Sequence, residues 1–144
     1  MFAQSVRSIM ELKKLVSAPP ATTVRKAAEL MVRRKVGALL VVERARLIGI
    51  FTERDALFRV MAKGLDPKTT PLAKVMSKTP TTIHPDKSFG YALLLMHENG
   101  FRHLPVVENG KLVGIVSARN ALDPDLEEFV SESRRREQIL REAN

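Results

Sequence analysis

Apolar positions recur in this chain in the same order twice. A stripe at helical spacing, Ala27, Leu30 and Met31, is followed by two short apolar runs, Leu39–Val42 and Leu47–Phe51. The stripe returns as Ala92, Leu95 and Met96, and the runs return as Leu104–Val107 and Leu112–Val116. Each stripe predicts an amphipathic helix. Thr22-Thr23 precedes the first as an N-cap, and Asp86 or Ser88 precedes the second; Asn99-Gly100 closes the second as a C-cap. The paired runs predict strands. Asn109-Gly110 between the second pair is a strong signal for a tight hairpin, whereas Arg44-Ala45 in the first pair predicts a looser turn or one of another type. A short strand is expected before each helix, at Val16-Ser17 and at Thr81–Ile83. A second helix is expected after each hairpin, from Thr52 (through Leu57, Val60 and Met61 to about Gly64) and from Ser117. The order strand, helix, strand, strand, helix, read twice, makes the chain α+β.

The two passages align without a gap at a shift of 65 residues, AAELMVRRKVGALLVVERARLIGIFTERD (27–55) on ALLLMHENGFRHLPVVENGKLVGIVSARN (92–120). Val41-Val42-Glu43 falls on Val106-Val107-Glu108, Gly49-Ile50 on Gly114-Ile115, and Arg54 on Arg119. Upstream, Val6–Met10 matches Leu72–Met76 at a shift one residue longer. A repeat of this length predicts two equivalent units, 5–63 and 64–122, packed about a pseudo-two-fold axis, with clefts between them in pairs. Thr70-Pro71-Leu72 reads as an N-cap with proline at the first helical position, opening a linker helix. Asp123-Pro124-Asp125 opens a last helix, with Leu126, Phe129 and Val130 on one face and a basic tail to residue 144.

Composition narrows the chemistry. The 144 residues are 44% hydrophobic and 28% charged, as in ordinary globular domains, with no cysteine for disulfides, thiolate metal sites or nucleophiles. The longest apolar runs are too short to span a bilayer, so no membrane partner is expected. The first ten residues lack an apolar signal core, which makes the cytoplasm the expected location. A net charge of +8 favours phosphate-bearing partners. One Tyr and no Trp leave little aromatic surface for stacking single strands.

The sharpest local signal is Gly49-Ile50-Phe51-Thr52-Glu53-Arg54-Asp55. Thr52 and Asp55 have the spacing of a capping box, in which hydroxyl and carboxylate satisfy free backbone N–H groups. The same geometry suits a ligand: unpaired helix N–H groups attract phosphate, and a carboxylate accepts two hydrogen bonds from the vicinal hydroxyls of a ribose. Arg54 and Arg119 could neutralise phosphate. The second copy, Gly114-Ile115-Val116-Ser117-Ala118-Arg119-Asn120, keeps the hydroxyl but offers an amide with one acceptor oxygen. The Asp55 cleft is therefore the expected ribose site.

These passages, above all GIFTERD and FRHLPVVENGKLVGIVSARN, resemble cystathionine-β-synthase (CBS) domains, as two tandem copies over about residues 5–122. The resemblance implies a disc-like regulatory module, often a homodimer. Such modules bind an adenine nucleotide (AMP, ATP or NAD, sometimes S-adenosylmethionine) between the repeats and modulate a separate target protein. No required cofactor is expected, and no spacing among the histidines or with acids resembles a metal site. By position, Thr52 and Asp55 would hold ribose and phosphate in one cleft, and Ser117 and Asn120 in the other. Val36, Gly37 and Ala38, with Phe101, Arg102 and His103, would line the base and phosphate region, and Val16 and Thr81 would contact adenine. Asn120 departs from the family's acid, and Gly37-Ala38 lacks the polar groups of Arg102-His103.

Other candidates are weaker. His84 and His97 read as solvated; His103, at the mouth of a strand, is a candidate phosphate contact. No nucleophile with a nearby base is evident, so the chain is not expected to be an enzyme. The alternative is a basic nucleic-acid-binding protein using Arg134–Arg136. Apolar helix faces (Leu57, Val60, Met61; Leu126, Phe129, Val130) favour dimerisation.

Overall fold

A computed structural model describes residues 2–12, 15–121 and 123–143. Helix α1 (Val6–Ile9) precedes the first repeat, which runs β1 (Ser17–Ala18), α2 (Val24–Arg34), β2 (Ala38–Glu43), β3 (Arg46–Thr52) and α3 (Glu53–Asp55). A π-helical stretch, Ala56–Met61, continues α3, and a linker of α4 (Leu72–Val75) and β4 (Ser77–Lys78) follows. The second repeat runs α5 (Phe89–Asn99), β5 (His103–Glu108), β6 (Lys111–Ser117) and a 3₁₀ turn (Ala118–Ala121), followed by α6 (Asp123–Ala143). The α+β order read from the sequence holds.

Of the candidate caps, Thr23 Oγ1 accepts from the Lys26 N–H at 3.3 Å and Ser88 Oγ from the Tyr91 N–H at 3.1 Å. Helix α5 ends at Gly100 in the left-handed region (φ 70°), as expected, and α2 ends the same way at Lys35 (φ 56°). The two hairpins are alike. Arg44 and Ala45 have φ of 51° and 63°, Asn109 and Gly110 53° and 76°, and the closing pairs Glu43–Arg46 and Glu108–Lys111 are equivalent. The expectation of a different first turn is corrected: two-residue connections between twisted strands favour the primed turns, and both hairpins here take the one with positive φ at both positions, although Arg44 and Ala45 stand there in the first.

Other expectations also shift. The segment after Thr52 is a short α-helix that widens into π turns, with Ala62 N–H donating to Leu57 O at 2.9 Å. In that setting Arg59 donates to the carbonyls of Val75 (3.3 Å) and Met76 (3.0 Å). After Ser117 there is a single 3₁₀ turn rather than a helix. Thr70 is not the cap of α4: its hydroxyl donates to Asp66 O at 2.7 Å, and Pro71 holds the cap position. The expected strand at Thr81–Ile83 reduces to one parallel bridge, Ile83 to Val106.

Strands β1–β4 form one sheet in that order, and β5–β6 form another. The second is extended by bridges from Ile83 to Val106 and from Glu11 to Ile115, matching the places of β1 and β4 in the first. Alternation along the strands sorts side chains onto two faces. Leu39, Val41 and Phe51 face α2, and Leu104, Val106 and Val116 face α5. Ala38, Leu40, Ile50 and Ile115 form a third core where the repeats meet.

The flanks are exchanged. Val6 is fully buried in the second repeat's core, and its N–H donates to Lys87 O at 2.8 Å. Leu72 is fully buried in the first repeat's core and donates to Thr22 O at 2.8 Å. Each flank crosses the sheet over a glycine: a Cβ on Gly114 would lie 2.7 Å from Met10 Sδ, and one on Gly49 would overlap Met76 Sδ, so a side chain at either place would have to displace the methionine. Among the described residues no helix is long and apolar enough to cross a membrane.

Candidate functional site

The turn after β3 realises the capping box in full. Asp55 Oδ2 accepts from the Thr52 N–H at 2.9 Å and from the Thr52 hydroxyl at 3.2 Å, and Thr52 Oγ1 accepts from the Asp55 N–H at 3.3 Å. Asp55 Oδ1 also lies 3.5 Å from Arg59 Nε. The carboxylate is buried and engaged within its own repeat. Arg54 points elsewhere, its guanidinium 5.0 Å from the Phe58 ring centre.

The turn after β6 has the same shape with an amide in the acid's place. Asn120 Oδ1 accepts from the Ser117 N–H at 2.8 Å and from the Ser117 hydroxyl at 3.4 Å. Its Nδ2 donates outward, to Glu11 Oε1 at 3.1 Å. This turn opens on a cavity of about 50 Å³ lined by Glu11, Val36, Gly37, Ala38, Ser117 and Asn120, among others. A larger hollow of about 900 Å³ adjoins it and shares Lys35, Val36, Gly37, His103, Ser117 and Arg119, adding Glu53 and Arg102. The combined space lies between the α2–β2 loop of the first repeat and the β5 and β6 ends of the second. Its size is that of a small-molecule site.

Eight of the fourteen candidate residues therefore share one cleft: Val36, Gly37, Ala38, Arg102, His103, Ser117, Arg119 and Asn120. The other six line neither of these two cavities. Thr52, Asp55 and Arg54 make the contacts above. Val16 lies in the first core, Phe101 packs against the second, and Thr81 is exposed.

Electrostatically the cleft gathers Lys35, Arg102 and Arg119 with two carboxylates, Glu11 and Glu53. Glu53 lies over Gly37, where a Cβ would come within 3.0 Å of its Oε1. Burial holds the His103 imidazole below its ordinary value of 6.5; Glu53 opposes that shift and Arg102 adds to it. His103 is therefore a neutral donor or acceptor near pH 7 that gains charge on acidification.

Sequence reasoning missed Glu11, Lys35 and Glu53. For Glu11 a signal existed: it follows Met10 as Ser77 follows Met76, in flanks already seen to match. It also missed a group brought together by folding, His84, Asp86 and Glu108, whose ligand-type atoms lie within 4.8 Å of one another. Arg7 sits among them, 3.1 Å from Asp86 Oδ1 and 2.6 Å from Glu108 Oε2, and these partners raise its pKa. The group clasps the N-terminal flank to the second repeat. His97 is exposed, and Arg134–Arg136 are exposed on α6.

The family model for the CBS domain matches residues 6–62 and 72–125. The chain belongs to the CBS-domain family. Among similar proteins, the CBS domain-containing protein CBSCBSPB5 of Arabidopsis thaliana is 40% identical over 114 residues, which are 78% of this chain but 21% of that protein. This chain thus spans about a fifth of the length of its plant CBS relatives. The CBS domain-containing protein YhcV of Bacillus subtilis is 38% identical over 113 residues, 78% of this chain and 79% of that one. An uncharacterised conserved protein of Pyrococcus horikoshii superposes with a TM-score of 0.80 at 29% identity, over 87% of this chain and 94% of that one. The CBS domain protein PAE2072 of Pyrobaculum aerophilum, solved in complex with AMP, superposes with a TM-score of 0.75 at 28% identity, over 81% and 89% of the two chains. The fold is that of tandem CBS repeats.

Proposed function

We propose that this CBS pair is a regulatory module that binds an adenine nucleotide in the cleft between the α2–β2 loop and the β6 turn, and transmits occupancy to a separate protein. The observation that carries this reading is the convergence of Lys35, Arg102 and Arg119 with the Ser117 hydroxyl around a cavity of ligand size. The cations suit phosphate, and the apolar Val36 and Met31 walls suit a base. The AMP complex of PAE2072 supports the ligand class. Both repeats contribute walls, so a ligand here biases how they pack, which is what a sensor requires. The match to the CBS-domain family supports binding rather than catalysis as its activity. Exposed Leu57, Phe58 and Met61 beside the buried Val60 give the proposed homodimer an apolar face; Phe129 is exposed as well, while the side chains of Leu126 and Val130 lie outside the described residues.

Isothermal titration with AMP, ATP, NAD and S-adenosylmethionine, alongside single-stranded DNA, tests the reading. Saturable binding of one adenine ligand, lost in the Arg102→Ala/Arg119→Ala double variant and kept when Arg134–Arg136 are neutralised, is the expected result. Binding of DNA alone, falling steeply with salt and abolished by the Arg134–Arg136 change, would replace it with the nucleic-acid alternative.

A further inference from the structure

We propose that Glu11, from the exchanged N-terminal flank, is the carboxylate that receives the ribose hydroxyls in this cleft, the part that residue order assigns to position 120. The inference rests on nucleotide binding in the cleft and names the group that selects the sugar.

Asn120 cannot play that part. Its single carbonyl oxygen already accepts from the Ser117 N–H and hydroxyl, and its amide presents only N–H donors toward the cavity. A ribose diol offers two O–H donors and needs acceptors. Glu11 lines the same cavity and supplies a carboxylate, whose two oxygens can accept further hydrogen bonds beside the one from Asn120. Its backbone is fixed by strand pairing: the Glu11 N–H donates to Ile115 O at 2.9 Å, which holds the side chain beside the β6 turn.

The repeat shows that this is an interchange rather than a loss. Ser77 pairs with Ile50 as Glu11 pairs with Ile115. The first repeat joins Asp55 at its turn to a neutral Ser77 on the strand alongside. The second joins a neutral Asn120 to an acidic Glu11. Each turn keeps one carboxylate, moved from the turn to the neighbouring strand. Two acids would be unfavourable, because a carboxylate at position 120 would stand where the Asn120 amide now approaches Glu11 Oε1 at 3.1 Å. Asn120 therefore orients Glu11, and Glu11 meets the ligand. The same carboxylate repels a phosphate on the 2′ position, so the cleft selects an unsubstituted diol.

Titration of the full chain with AMP, ATP and their 2′-deoxy counterparts tests this, in the parent and in Glu11→Gln. The parent is expected to bind each ribonucleotide on the order of tenfold more tightly than its 2′-deoxy form, as a hydrogen bond to a charged acceptor implies. Glu11→Gln is expected to lose that preference while its melting temperature stays near the parent's. Asn120→Asp should weaken ribonucleotide binding by a similar factor. A parent that does not distinguish the sugars, or a Glu11→Gln variant that keeps both affinity and preference, overturns the inference and leaves nucleotide binding standing. If the parent binds none of the four, this inference falls, and the NAD and S-adenosylmethionine titrations decide the nucleotide-binding reading.

Discussion

At three equivalent places the backbone turns left-handed in both repeats: Lys35 and Gly100, Arg44 and Asn109, Ala45 and Gly110. The second repeat fills these positions with the residues that tolerate positive φ best. The first fills them with side chains that do not, at a cost of about 1 kcal/mol each. The same pairing of unlike residues on like backbone recurs at the two turns that matter for binding. Asp55 turns inward to Thr52 and Arg59, whereas Asn120 hands its amide to Glu11 at the edge of a cavity. A shared motif thus fixes the shape of a turn but not its task. The task depends on what the exchanged flank and the opposite repeat bring to it.

The largest test of this equivalence is in the core. Leu39 and Leu104 are equivalent and fully buried, so Leu39→Ala and Leu104→Ala should each destabilise by about 3 kcal/mol in urea unfolding. Costs differing by more than a factor of about two would show that the repeats do not share the load.

The turns come next, and here the repeats should part. Asp55→Ala removes a capping box and an ion pair and should cost about 1–2 kcal/mol of stability, with binding in the Asn120 cleft unchanged. Asn120→Ala should weaken nucleotide binding by releasing Glu11. If calorimetry instead shows binding lost in Asp55→Ala, the ribose site is the one expected from the acid's position in the sequence.

The hairpins give a smaller and opposite-signed pair. Ala45→Gly should stabilise by about 0.5–1 kcal/mol and Gly110→Ala should destabilise by about 1 kcal/mol, both read as shifts in melting temperature. Equal signs would mean that the two turns are not the same conformation.

The finest distinction is electrostatic. His103 titrates below 6.5 in the folded chain, so the unfolded chain takes up the proton first as pH falls. The stability this contributes is present above about pH 6.5 and is lost as pH drops through the folded-state value. His103→Gln should flatten that decline. Phosphate beside the imidazole favours its charged form, so NMR titration of His103 should move upward on adding nucleotide; an unmoved titration would place the phosphate elsewhere.

Much of the fold was legible because its causes are local. Helix α5 announced itself through the Ala92, Leu95 and Met96 stripe, the Ser88 cap and the Gly100 terminator, all within one segment. The hairpins followed from apolar alternation, and the Thr52 capping box from residue spacing alone. The π turns after Asp55 were not legible in the apolar pattern, and neither was the reach of Arg59 from them to the Val75 and Met76 carbonyls, 16 and 17 residues on; the Thr70 hydroxyl is taken by Asp66 O, which the capping pattern does not register.

By itself, then, the sequence determined the repeat, the order of elements, the family and a set of polar residues able to meet a nucleotide. Only the tertiary structure decided that the flanks cross to the other repeat and that Glu11 joins Asn120 across a separation of 109 residues. Helix and strand preferences are set within a few residues of one another. A cleft is set by contacts whose closure entropy is met only when the whole core forms, and that choice is written in no single segment.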